Sequence, residues 1–345
     1  MKEVADQEDI INQVQEVLQK RGKKVLELAR KTVLEDKIEH EEVSEALKYF
    51  MTEYWHDVAR PALLSIVCEA VGGNPESIIP IAIPLSLISG AIDIHDDIID
   101  QSDVKGSKST VFGKYGKNIA LLVGDALLFK GFNLIQHSIE KGISVDKVLI
   151  ISDIIKKTFF ELGNAEALEL NFRGNFDVTP EEYLKVVKKK AADVEAHTRI
   201  SAILGNGTKK EIKSLSEYGR FLGMLIILRD DMIDTLDIEE TVHRIKNEHI
   251  SLPIIYAIQN PVTKSELAEI CLKEKISKND YKKILALIMK AKGLDLVDEY
   301  MQKIAKEALE ITNKIEKNKE LLKILIKGMT LPEWRDYLSP PNSNW

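Results

Sequence analysis

Apolar residues recur at every third or fourth position along most of this chain. Ile11, Val14, Val17 and Leu18 form one stripe, and Val25, Leu28, Ala29 and Val33 a second. Val148, Ile151, Ile154 and Ile155 form a third, and Ile304, Ala308, Ile311 and Ile315 a fourth. This spacing places each set on one face of an α-helix. Strict apolar–polar alternation is nearly absent. Turn signals separate the runs: GGNPES at 72–77, KGSKS at 105–109, RGNFDVTPEE at 173–182, GNGTKK at 205–210 and QNPVTKSE at 259–266. TPEE at 179–182 reads as an N-cap threonine, a proline in the first helical position and an acidic first turn. The pattern predicts an all-α single-domain bundle of about ten to twelve helices without a convincing strand. The expected organisation is a helical N-terminal extension over 1–35, one domain over 36–338 and a tail over 339–345.

Composition narrows the function classes. The 345 residues can bury a substantial core. A net charge of −7 disfavours nucleic acid as a partner. Cys68 and Cys271 sit in apolar helical patterns, read as small buried hydrophobes, and no metal-binding cysteine spacing exists. The N-terminus MKEVADQEDIINQ lacks the apolar run of a signal peptide, and the weakly charged stretch Ile78 to Ile92 falls short of the roughly 20 residues of a membrane span. A cytoplasmic protein without stable membrane insertion is expected.

Two acidic clusters break the apolar pattern. GAIDIHDDIIDQSD (Gly90 to Asp103) carries five aspartates, and LIILRDDMIDTLD (Leu225 to Asp237) repeats the theme. On a helix, Asp93, Asp96, Asp97 and Asp100 share an arc of about 100°, and Asp230, Asp231 and Asp234 do the same. The flanks are apolar, so these helices should pack inside, where crowded carboxylates repel. A cation must offset them. Oxygen donors with no nearby cysteine suit Mg²⁺, which completes its shell with water and phosphate oxygens. Two such helices facing each other would hold a diphosphate. The competing reading is a non-enzymatic helical scaffold with solvated acidic faces.

In this order the motifs resemble those of the trans-isoprenyl diphosphate synthases, the polyprenyl synthetase family, over residues 40 to 340. HDDIIDQSD with KSTVFGKYGKNIALLVGDALL (95–128) resembles the first motif and the helix after it, and LRDDMID the second. RPALLSIVCEAVGG (60–73), AEALEL (165–170), YLKVVKKKAADV (183–194), SLPIIYAI (251–258) and PEWRDY (332–337) resemble further segments. The resemblance implies an all-α isoprenoid-synthase bundle around a central prenyl-chain cavity and a homodimer. It also implies Mg²⁺-dependent ionisation of an allylic prenyl diphosphate, with transfer of the prenyl cation to isopentenyl diphosphate. Asp96, Asp97, Asp100, Asp230 and Asp234 would ligate metal, Asp231 in support. Lys190 and Lys105 would contact the allylic diphosphate. His95 would support the aspartates.

Departures from the family pattern cluster on one side of that chemistry. The family's Gly-Lys-Arg-x-Arg-Pro reads HDVARP at 56–61, leaving only Arg60. Its paired arginines read Lys105-Gly106, its Phe-Gln reads Ile226-Ile227, and its late lysine reads His249. Isopentenyl diphosphate would then bind through Arg60, Lys108, Arg244 or Lys246. Alternatively the cation is quenched internally, by water or by another acceptor, as in terpene synthases, or the chain is a non-catalytic subunit of a heteromeric synthase. Asp93, an added acid, is a further metal or proton-handling group or a partner for a nearby lysine. Ser89, Gly90, Ala91 and Ile92 form a wall without an aromatic plug, which implies a product of about twenty carbons or more.

Overall fold

The structure, a computed structural model, describes residues 2–330. The expected tail and PEWRDY lie outside the described residues. In chain order the helices are α1 (Lys2–Leu34), α2 (Glu41–Tyr49), α3 (Ala59–Ala70), α4 (Ile79–Ile99), α5 (Val111–His137), α6 (Val145–Leu170), α7 (Pro180–Lys190) and α8 (Ala192–Leu204). They continue with α9 (Lys209–Leu236), α10 (Ile238–Asn247), α11 (Leu252–Gln259), α12 (Lys264–Cys271), α13 (Lys278–Lys290), α14 (Gly293–Thr312) and α15 (Lys319–Met329). The all-α expectation holds, with more helices than expected. The surplus lies in pieces such as α11 and α12, eight residues each, too short to declare a period. The one ladder among the described residues is a two-residue pairing of β1 (Val104–Lys105) with β2 (Lys108–Ser109). Gly106 closes it at φ 59°, a left-handed conformation that favours glycine.

Two apolar cores flank a seam. One gathers around α9 through Leu215, Tyr218, Leu222, Leu225 and Leu228. The other gathers around α4 through Ile81, Leu87, Ile88, Ala91 and Ile94. Each buried leucine or isoleucine among them contributes about 1.5–3 kcal/mol relative to exposure. Helix α1 packs on α3, α4 and α15. Its Val14 enters the α9 core, while Val25, Leu26, Ala29 and Val33 enter the α4 core. Thr179 caps α7 by accepting from the Glu182 amide, as TPEE predicts, and Glu182 returns a bond to the Thr179 amide.

Residues 75–99 and 111–137 are each long and apolar enough to cross a membrane by composition alone. The first spends its apolar surface on the core, with 72% of its most apolar window buried; for the second that share is 33%. Cys68 and Cys271 are free and buried, as their patterns suggest.

Helix α8 crosses α9 closely at Gly219, where a Cβ would lie 2.1 Å from Thr198 Oγ1 and 2.9 Å from Glu195 Cα. Gly163 in α6 has nothing within 4 Å of its Cβ position. Gly219→Val should therefore cost about 2 kcal/mol or more, whereas Gly163→Ala should stabilise by up to about 1 kcal/mol. Urea denaturation measures both.

Candidate active site between two acidic helix ends

Helices α4 and α9 deliver their acids at their C-terminal ends, α4 stopping at Ile99 and α9 at Leu236. Unpaired carbonyls already make such ends electronegative. Both ends open on one cavity of about 700 Å³. Asp96 and Asp100 line it from α4 and the turn after it; Asp230 and Asp234 line it from α9. The walls are close: His243 of α10 lies with Nε2 3.2 Å from the Asp100 carbonyl.

The carboxylates are short of positive charge. Burial, together with Asp96 and Glu248, pushes Asp100 up to about 8. Burial and Asp234 push Asp230 up to about 7, and burial raises Asp234 to about 6 against the pull of Arg244. Asp97 is 2% exposed and burial raises it to about 6 although Lys105 Nζ lies 2.7 Å away. Of the aspartates in the two acidic clusters, Asp96 is the one lowered: burial works to raise it, but Lys190 and Lys105 prevail.

Both predicted lysines reach the cavity. Lys190 Nζ, at the end of α7, lies 2.6 Å from Glu169 and 3.0 Å from Glu166. Those glutamates belong to AEALEL; burial raises Glu166 to about 7 despite the lysine. Lys105 Nζ lies 2.7 Å from Asp97 and 3.5 Å from Asp96. His95 packs where Gly124 leaves room, 2.6 Å from that glycine's Cβ position, and lies 3.3 Å from Asp125. The glycine and aspartate of GDALL thus seat this imidazole beside the acids.

Several expectations need correction. Arg60 does not offer a free guanidinium: it bonds Asp57 at 2.9 Å, Asp193 at 2.9 Å and Asp93 at 3.1 and 3.2 Å. Asp93 is accordingly a cation's partner, an arginine rather than a lysine, and Trp55 Nε1 also donates to it at 3.1 Å. Asp231 is turned inward, 2% exposed, 2.7 Å from Arg244 Nη1, and accepts from Tyr183 Oη at 2.7 Å. Those contacts occupy it as the anchor of α9 rather than as a donor to an ion. Ala91 is fully buried in the α4 core and does not line the cavity. Gly90 faces the rings of Phe50 and Trp55, and Ser89 lies 3.4 Å from His197. Of that wall only Ile92 remains, joined by Phe159, Leu162, Val194, Ile226 and Ile227. Phe159 is an aromatic wall residue from another helix, outside the stretch that suggested none.

Sequence reading missed the network behind the second wall. His249 lies 3.2 Å from Tyr183 Oη and 3.0 Å from Arg244 Nη2. Burial and then Arg244 push it down to about 3, so it is neutral. The positive charge here sits five residues earlier, on Arg244, 3.0 Å from Asp234. Lys246 points elsewhere, to the Cys271 and Lys273 carbonyls.

Among the described residues, no three His, Cys, Asp or Glu side chains gather to hold a metal by protein atoms alone. The fit to Mg²⁺ is of another kind. One or two carboxylates per ion suffice when phosphate oxygens and water complete the shell. Under-neutralised oxygen donors on two facing walls offer that.

Helical bundle and carboxylate-walled cavity together define an isoprenoid-synthase type of protein. The chain belongs to the polyprenyl synthetase family, whose model matches residues 40–288. It is 33% identical over 192 residues to a geranylgeranyl diphosphate synthase of Methanosarcina mazei, the match covering 55% of this chain and 58% of that one. It is 33% identical over 184 residues to a short chain isoprenyl diphosphate synthase of Methanothermobacter thermautotrophicus, covering 53% and 55%. The chain thus spans less than two thirds of either relative's length. The crystal structure of a geranylgeranyl pyrophosphate synthetase from Pyrococcus horikoshii superposes with a TM-score of 0.81 at 24% identity, over 94% of this chain and 98% of that one, which shows the shared fold.

The raised acids set a pH dependence. A carboxyl whose folded pKa is raised makes the folded state hold the extra proton, so stability falls as pH rises from the unfolded value through the folded one. For Asp100 that window runs from about 4 to about 8. In chelator, wild-type melting temperature should therefore fall relative to Asp100→Asn as pH rises from 5 to 8. Stabilisation by Mg²⁺ should grow over the same range. Scanning fluorimetry with and without Mg²⁺ reads both; parallel pH profiles for the two proteins would contradict the assignment.

Proposed function

We propose that this protein is a Mg²⁺-dependent prenyltransferase. It ionises an allylic prenyl diphosphate and transfers the prenyl cation to isopentenyl diphosphate, giving an all-trans product of about twenty carbons or more. One observation carries the reading: Asp96 and Asp100 face Asp230 and Asp234 across a cavity that also holds Lys105 and Lys190 and has an apolar wall of Ile92, Phe159, Leu162, Ile226 and Ile227. The names of the relatives agree with it.

Asp96, Asp100, Asp230 and Asp234 would hold Mg²⁺, which when bound would supply Lewis-acid stabilisation of charge on the departing diphosphate. Lys190 and Lys105 donate to the same group. The allylic C–O bond breaks with its electron pair staying on the diphosphate. The acceptor's double bond then forms the new C–C bond, and a proton is lost. Ile92, Phe159, Leu162, Ile226 and Ile227 hold the tail and keep water from the cation. Intact acids on both walls weigh against a non-catalytic subunit. The caging of Arg60 is the observation that favours the second reading, a terpene-synthase-like enzyme that needs no second diphosphate.

With Mg²⁺, an allylic diphosphate and isopentenyl diphosphate, Asp96→Ala and Asp230→Ala should each lower turnover by roughly a thousandfold or more. Product analysis by chromatography reads this. Full activity in either variant contradicts the metal assignment, and terpene hydrocarbon or alcohol formed without isopentenyl diphosphate favours the second reading.

We further infer a homodimer through α5 and α6. Phe129 is 74%, Phe160 71% and Leu149 64% exposed on these helices. Leu149 and Phe160, eleven residues apart, share one face of α6. Apolar groups this exposed mark an interaction surface, and a second copy would cover them in place of lipid. Leu149→Glu with Phe160→Glu should yield a monomer by light scattering; an unchanged mass contradicts this.

A further inference from the structure

Beside the main cavity lies a second one of about 320 Å³, and Asp93, Asp96 and Lys105 belong to both. Its other walls are Tyr54, Trp55, His56, Asp97 and Lys108. A π-helical turn, Phe50–Tyr54, ends α2 and brings Trp55 and His56 to this place. Each acid here already contacts a cation, Asp93 the shared Arg60 and both Asp96 and Asp97 the single Lys105. Asp57, next in sequence to His56, is taken by Arg60.

The remaining cations are not matched. His56 Nδ1 lies 2.7 Å from Arg30 Nη2, and His56 Nε2 lies 3.3 Å from Lys108 Nζ. Arg30 otherwise donates to the Trp55 carbonyl at 2.8 Å, and Lys108 to the Glu53 carbonyl at 2.5 Å. Among the described residues no carboxylate pairs with Arg30 or Lys108. A neutral imidazole has one acceptor nitrogen, whereas guanidinium and ammonium groups only donate. One of the two His56 contacts therefore sets donor against donor. Burial, Lys108 and Arg30 together lower the His56 pKa, the response expected of an imidazole among cations. An anion bridging Lys108 and His56 removes that conflict.

We propose that Arg30, His56 and Lys108 form an anion site that holds the diphosphate of the acceptor substrate, isopentenyl diphosphate, beside the allylic cavity. This rests on the prenyl-transfer reading above. Of the four cations that sequence offered for this role, the structure ties Arg60 and Arg244 to carboxylates and turns Lys246 away. Lys108 remains, and Arg30 and His56 are added to it. Lys108 and Lys105 lie on the two short strands of one hairpin, so a single turn serves both diphosphates.

Two measurements on the full chain test the proposal. Titration with inorganic pyrophosphate in chelator reports binding without metal, which the aspartate walls alone cannot support. Wild type should bind saturably. Lys108→Ala and Arg30→Ala should each weaken binding roughly tenfold or more, the loss expected for a charge-assisted hydrogen bond, and Lys108→Arg should restore it. In steady state the same variants should raise KM for isopentenyl diphosphate by a similar factor and leave KM for the allylic substrate unchanged. No pyrophosphate binding by wild type in chelator, equal binding by folded variants, or an equal rise in both KM values overturns the site. Pyrophosphate binding lost in Lys108→Ala, with no elongation by wild type, supports the anion site and instead overturns the prenyl-transfer reading.

Discussion

Four carboxylates stand at the C-terminal ends of two apolar helices, and the rest of the site follows from the charge this concentrates. Helix ends of that polarity repel anions. Their burial adds a desolvation cost, which is why Asp100, Asp230 and Asp234 all rise toward neutrality. Two long helices buried in separate cores hold the acids in place, so the repulsion cannot be relieved by moving apart. Within the chain it is relieved only in part, by lysine and arginine such as Lys105, Lys190 and Arg244.

The placement of those cations distinguishes this chain from the pattern of its family. At 249 a neutral imidazole stands where that pattern has lysine, and the charge has moved to Arg244, buried against Asp231 and Asp234. At 60 the arginine is retained but enclosed by Asp57, Asp93 and Asp193. The added acids at 57 and 93 thus silence a guanidinium rather than extend the metal site. Among the described residues, positive charge free of carboxylates reappears at Arg30 and Lys108, which flank the His56 imidazole.

Much of this was legible in the sequence because it is local. A three- to four-residue period gave the helices, TPEE the start of α7, and i, i+3, i+4 spacing the acidic faces. What was not legible depends on contacts between distant segments. The cage around Arg60 joins residues 57, 93 and 193, and nothing in HDVARP announces Asp193. The cluster at His56 joins residue 30 of α1 to residue 108 of a hairpin. Ala91 and Ile92 are adjacent in sequence, yet neighbours on a helix differ by about 100°, and only Ile92 faces the cavity. The aromatic Phe159 comes from α6, fully outside the stretch from which the pocket was read.

The central claim is that a diphosphate bridges these two acidic helix ends through divalent ions. Crystals of the full chain grown with Mn²⁺ and inorganic pyrophosphate, examined by anomalous diffraction, test it most directly. The account predicts Mn²⁺ peaks about 2 Å from carboxylate oxygens of Asp96 or Asp100 on one wall and of Asp230 or Asp234 on the other, sharing one pyrophosphate. Peaks confined to one wall, or a pyrophosphate bound away from both, would contradict it.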